Sequence, residues 1–146
     1  MTLRTGRWAA WAAAGWTLLY VASKIHFALD GRLGVTGGPH VPAEAYLDFG
    51  SGEVAWAQWG NAGAGLLVVA IALGSLAALR RTAARRVMAV LLWACVAMAG
   101  VGAVGMLGGA LLTDRGGAIF GGYCAVWAVL LGVAALSFHR RGRNAG

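Results

Sequence analysis

The stretch VMAVLLWACVAMAGVGAVGMLGGALL, Val87 to Leu112, carries no charged side chain and no proline. A hydrocarbon core ~30 Å thick needs about 20 apolar residues as a helix. The run is long enough to cross and too long for a strand, and it lacks the two-residue alternation of a membrane β-barrel. Three similar runs flank it, from Trp8 to about Leu29, from Val54 to Leu79 and from about Gly116 to Phe138. Each is bounded by charge, and both prolines, Pro39 and Pro42, fall between the first two runs. The pattern predicts an all-α integral membrane protein: one four-span bundle over residues 1–146, with a long external loop from 30 to 53.

Composition agrees. Of 146 residues, 60% are hydrophobic and 12% charged. A soluble domain carries about 25% charged residues. Half that density does not cover a water-facing surface, and so hydrophobic a chain is not a disordered tail. Two cysteines make no disulfide framework.

The charges set the direction. Arg4 and Arg7 precede the first run, Arg80, Arg81, Arg85 and Arg86 fill the second link, and Arg140, Arg141 and Arg143 follow the last run. The other links hold all the acids: Asp30, Glu44, Asp48 and Glu53 in one, Asp114 in the other. The positive-inside rule then places both termini in the cytoplasm of a multi-pass protein of the cell membrane. This accounts for the net charge of +7. The arginines orient the chain and meet anionic membrane lipid. They come in pairs without interleaved aromatics, so nucleic acid is not an expected partner. The first run also has the outline of a signal peptide, with Val21-Ala22-Ser23 as a small-residue site. Its apolar character continues through Ile25, Phe27 and Leu29, which favours a retained helix.

Polar residues gather toward the outer side. Ser23, His26 and Asp30 share a helix face by their spacing, and His26 with Asp30 has the form of a charge-assisted pair. Lys24 points elsewhere and stacks over Tyr20. Gln58 and Asn61, three apart, are expected on one face of the second helix. Asn61 lies ~10 Å below the outer edge at ~1.5 Å per residue, and an amide at that depth needs a partner. Tyr123 stands at similar depth. Loop and helix ends together predict an outward-facing cup lined by Lys24, His26, Asp30, His40, Glu53, Gln58, Asn61 and Tyr123, with a short interfacial helix over residues 42–49. A loop this long is often a lid or a binding loop.

His26, His40, Asp30 and Glu53 are metal-ligand types, but no two sit at a standard spacing, so no metal is expected. His139 falls on the opposite side from the other histidines, against a bis-histidine haem, and no cofactor is expected. No CxxC occurs, and Cys95 and Cys124, ~6 Å apart in depth, read as buried thiols. Gly105 with Gly109, and Gly117 with Gly121, make four-residue ridges for packing inside the bundle or for a homo-oligomer. Trp8, Trp11, Trp56 and Trp59 fit aromatic belts.

The segment His26-Phe27-Ala28-Leu29-Asp30-Gly31-Arg32-Leu33-Gly34 resembles the end of the first helix in a family of small four-helix bacterial membrane proteins of unassigned function. The resemblance implies the four-span layout in a bacterial inner membrane and supplies no activity. Three functions fit these residues. One is binding or transport of a small polar molecule or lipid headgroup in the outer cup. Another is an accessory subunit that docks a larger membrane complex through its glycine faces. The third is a membrane enzyme with His26 as base and Asp30 orienting it. No carboxylate lies deep in a span, which disfavours proton-coupled exchange.

Overall fold

The computed structural model describes residues 3–79 and 81–143. Arg80 of the basic link lies outside the described residues. Four α-helices follow one another: α1 (Leu3–Leu29), α2 (Glu53–Gly74), α3 (Thr82–Leu112) and α4 (Ala118–Arg143), with a 3-10 turn at Ala43–Tyr46 in the long loop. Among the described residues there is no β-strand. Helices α2, α3 and α4 are long and apolar enough to cross a membrane. Helix α1 does not reach that measure, since Lys24 and its Trp, Thr, Tyr and Ser residues lower its hydropathy.

The helix ends differ from the apolar runs where local chemistry intervenes. Helix α2 stops at Gly74, five residues before Leu79. The Ser75 hydroxyl donates to the Ala72 carbonyl at 2.6 Å, and an Arg141 Nη2 donates to the Ser75 carbonyl at 2.8 Å. These bonds occupy carbonyls that a helix end leaves without partners. Helix α3 begins five residues before Val87 and takes in Arg85 and Arg86, since helical hydrogen bonding does not stop where the apolar run does.

Helix α1 packs against both α2 and α4, α4 packs against α3, and α2 touches α3 only sparsely. The core joins Ala13 and Ala14 of α1, Val68, Ile71 and Ala72 of α2, Leu92, Cys95 and Ala99 of α3, and Trp127, Leu131, Ala135 and Phe138 of α4. Small residues set the close approaches. A Cβ on Gly65 would lie 2.6 Å from a Val21 methyl, and one on Gly121 would lie 2.9 Å from the Leu107 backbone nitrogen. Of the two glycine ridges, Gly117 meets Pro39 and Gly121 meets Leu107, whereas nothing lies within 4 Å of a Cβ placed on Gly105 or Gly109. Gly117 precedes α4, so it makes no helix ridge with Gly121, and both are filled from within the chain, whereas Gly105 and Gly109 on α3 are open. Cys95 and Cys124 are both free and buried.

Polar groups clasp α1 to α4. Trp127 Nε1 donates to the Thr17 hydroxyl at 2.8 Å, and that hydroxyl donates to the Ala13 carbonyl at 2.7 Å. Trp16 Nε1 donates to the Tyr123 carbonyl at 3.2 Å, and the Tyr123 hydroxyl donates back to the Trp16 carbonyl. Tyr20, Phe120, Tyr123 and Trp127 stack around this clasp at centroid distances of 5.6–6.2 Å, and Trp16 stacks on Tyr123 at 5.0 Å.

Candidate functional site: the loop-capped outer end

The long loop folds back over the helix ends and is fastened on two sides. On the α1–α2 side the fastening is Lys24 with Gln58. Lys24 Nζ donates to the Gly34 carbonyl at 2.8 Å and to Gln58 Oε1 at 3.0 Å. Gln58 Nε2 donates to the Arg32 carbonyl at 2.8 Å and to the Gly34 carbonyl at 3.1 Å. The Gly34 oxygen thus accepts from both side chains. Gly34 has φ +130°, and a Cβ there would lie 3.0 Å from the Phe27 ring, so only glycine presents this carbonyl without strain.

Both side chains are buried, Lys24 to 9% and Gln58 to 1% exposure. Among the described residues Lys24 has no carboxylate partner. Its ammonium instead sits over the Tyr20 ring, 5.6 Å from the centroid, as the four-residue spacing predicts. A buried ammonium without a counter-ion is held by the dipoles around it, here two carbonyl-type oxygens and one ring face. Nearby, the Leu33 backbone N–H donates to the Tyr46 hydroxyl at 3.1 Å, and Thr36 N–H donates to Ser23 Oγ at 2.9 Å.

On the α4 side the loop is stitched to the short turn between α3 and α4. His40 N–H donates to the Arg115 carbonyl at 2.7 Å, Phe120 N–H donates to the Gly37 carbonyl at 3.0 Å, and Pro39 bridges to Gly116. Gly117, with φ +99°, lies against Pro39. The Gly34–His40 stretch is therefore tied to α1 and α2 at Gly34, to α4 at Gly37 and to the α3–α4 turn at His40.

The eight expected cup residues divide. Lys24 and Gln58 meet directly. His26 Nε2 and Asp30 Oδ2 approach to 3.6 Å on the exposed end of α1, with side chains 68% and 40% exposed. That distance is an ion-pair approach rather than a hydrogen bond. His40 is exposed and contributes its backbone N–H. Glu53 Oε2 accepts the Gly50 N–H at 2.7 Å, closing the turn into α2. Tyr123 belongs to the α1–α4 clasp rather than to the outer surface.

Asn61, unlike Gln58, does not join the buried residues Val54, Gln58, Ala62, Gly65, Val68 and Ala72 of α2. Asn61 is exposed and has no hydrogen bond among the described residues. The expected 42–49 helix is the shorter Ala43–Tyr46 turn. No group of three or more metal-ligating side chains occurs among the described residues. Reading the sequence alone misses the carbonyls of Arg32 and Gly34, to which the buried polar pair is directed. The Gly31–Gly34–Gly37 spacing beside Lys24 is the available signal for a backbone loop folded onto a side chain.

Comparison of the chain with protein-family models, with curated proteins and with solved structures finds no match.

Proposed function

We propose that the protein crosses the cell membrane four times with both termini in the cytoplasm, and that it serves as an assembly subunit docking another membrane-embedded chain along the outward faces of α2 and α3. Support for the fourth span comes from packing: α1 lies between α2 and α4, both long and apolar enough to cross. Its length, ~40 Å at ~1.5 Å per residue, suffices. Support for the orientation is the segregation of arginines from acids.

Asn61 carries the assembly reading. It is exposed near the middle of α2, and its amide has no hydrogen bond among the described residues. Polar side chains in hydrocarbon pair across helices, at ~0.6–2 kcal/mol each. At Gly60 and Gly63 beside it, and at Gly105, Gly108 and Gly109 on α3, nothing lies within 4 Å of where a Cβ would stand, so a neighbouring backbone has room to approach. The buried pair at the loop-capped end, Lys24 and Gln58, is hydrogen-bonded within the chain.

Site-specific photo-crosslinking in native membranes tests this reading. A crosslinker at Ala64 is expected to yield a protein adduct that Asn61→Val weakens several-fold. Adducts with lipid alone at both Ala64 and Gly105 refute it. A second reading, binding of a small polar molecule at the outer surface, draws on the exposed His26–Asp30 pair.

A further inference from the structure

The face of α1 turned away from the bundle has an order of its own. Arg4, Arg7, Trp8 and Trp11 recur at three- and four-residue spacing and share one side of the helix. With Ala12 they line an open groove of about 590 Å³. Trp8 is 76% exposed, and Arg4, Arg7 and Trp11 are exposed as well. Arg4 and Arg7 have no ion pair or side-chain hydrogen bond among the described residues. All five acids of the chain lie at or beyond Asp30, in the links at the opposite end of α1. Beyond Trp11 the face continues through Gly15, where nothing lies within 4 Å of a Cβ, to exposed Leu18 and Leu19.

We infer that this groove binds one anionic phospholipid, its phosphate on Arg4 and Arg7, its glycerol-ester level against Trp8 and Trp11, and an acyl chain along Ala12, Gly15 and Leu19. The order of chemistry along the helix is the order along a lipid. Guanidinium groups take phosphate oxygens through paired N–H donors. Indole rings settle at the ester level, apolar in body with one N–H donor. The missing side chain at Gly15 leaves a furrow directly below Trp11, where a chain would continue. The ~22 Å from Arg4 to Leu19, at ~1.5 Å per residue, is the scale of one leaflet with its headgroup. Charge complementarity selects an anionic lipid over a zwitterionic one, since the two cations have no acid of their own to neutralise.

Native mass spectrometry of the full chain released from mixed phosphatidylcholine–phosphatidylglycerol nanodiscs tests the site. One phosphatidylglycerol per chain is expected to survive release, in preference to phosphatidylcholine. Arg4→Gln with Arg7→Gln is expected to lower that retention about tenfold or more, at roughly one kcal/mol for each arginine near an anionic surface. Trp8→Ala with Trp11→Ala is expected to lower it with the charge left intact. Arg81→Gln with Arg86→Gln removes the same charge elsewhere and is expected to leave retention unchanged. Helical content measured by circular dichroism confirms that each variant is folded. Equal loss in the Arg81/Arg86 variant, equal retention of the two lipids, or displacement of the lipid by millimolar inorganic phosphate or glycerophosphate would each overturn the inference.

Discussion

Replacing Gln58 by Leu keeps the volume at a buried position and deletes three hydrogen bonds. One of these is charge-assisted, from Lys24, and two run to the Arg32 and Gly34 carbonyls. A bond to a charged group contributes ~2 kcal/mol and a neutral one ~1 kcal/mol, so the side chain accounts for about 4 kcal/mol if nothing replaces it. Water admitted at the outer end recovers part of this, and Gln58→Leu is expected to cost about 2–4 kcal/mol. The sharper quantity is the coupling to Lys24. In a double-mutant cycle with Lys24→Met, the double variant should cost about 2 kcal/mol less than the two single losses added together, because both lose the same bond. Unfolding in mixed micelles, followed by circular dichroism, reads the stabilities. Hydrogen exchange reads the loop: the Leu33 and Thr36 amides, held by Tyr46 and Ser23, should exchange faster once Gln58 no longer anchors the segment between them. Additive single losses within ~0.5 kcal/mol, with unchanged exchange at those two amides, would refute the claim that Lys24 and Gln58 act together to hold the loop.

Two further outcomes follow from the packing and the charge pattern. Gly121→Ala places a Cβ 2.9 Å from the Leu107 backbone nitrogen and should cost ~1–3 kcal/mol by forcing α3 from α4, whereas Gly122→Ala, which meets nothing within 4 Å, should be neutral or slightly stabilising in the same unfolding assay. With Cys95 and Cys124 replaced by Ala, an Asp48→Cys variant should react with a membrane-impermeant maleimide in intact cells and a Thr82→Cys variant only after lysis; the reverse pattern would invert the orientation.

How much of this is legible in the sequence depends on the distance over which each feature is decided. Apolar runs bounded by charge give α2, α3 and α4 because hydropathy is a local property. Lys24 over Tyr20 is equally legible, since four residues along a helix is one turn. The stop of α2 at Gly74 is not, because a hydrogen bond from Arg141, 66 residues away from Ser75, helps to terminate it. Gln58 and Asn61 are expected on one face because three-residue neighbours usually share one. They part here because the loop carbonyls of Arg32 and Gly34 cover Gln58, whereas Asn61 stays exposed. Only the identity of the packing neighbour decides that, and it is not encoded in spacing. Tyr123 reads as an outer polar group because its depth is legible and its partner, the Trp16 carbonyl, is not.

The outer polar residues are best separated by asking whether the loop reaches them. Lys24 and Gln58 are reached: their N–H donors meet the Gly34 and Arg32 carbonyls. Burial of an ammonium is then tolerated because its removal from water is offset within the chain. Glu53 serves the loop in the same way through the Gly50 amide. Asn61 is exposed, and no described residue offers it a hydrogen bond. Of these two amides on α2, one is thus answered by the chain itself and the other is the group on which the proposed assembly contact rests. Depth alone does not distinguish them, since both lie within the first half of the same helix. The loop carbonyls make Gln58 a structural fastening, and its exposure leaves Asn61 available for the neighbour proposed above.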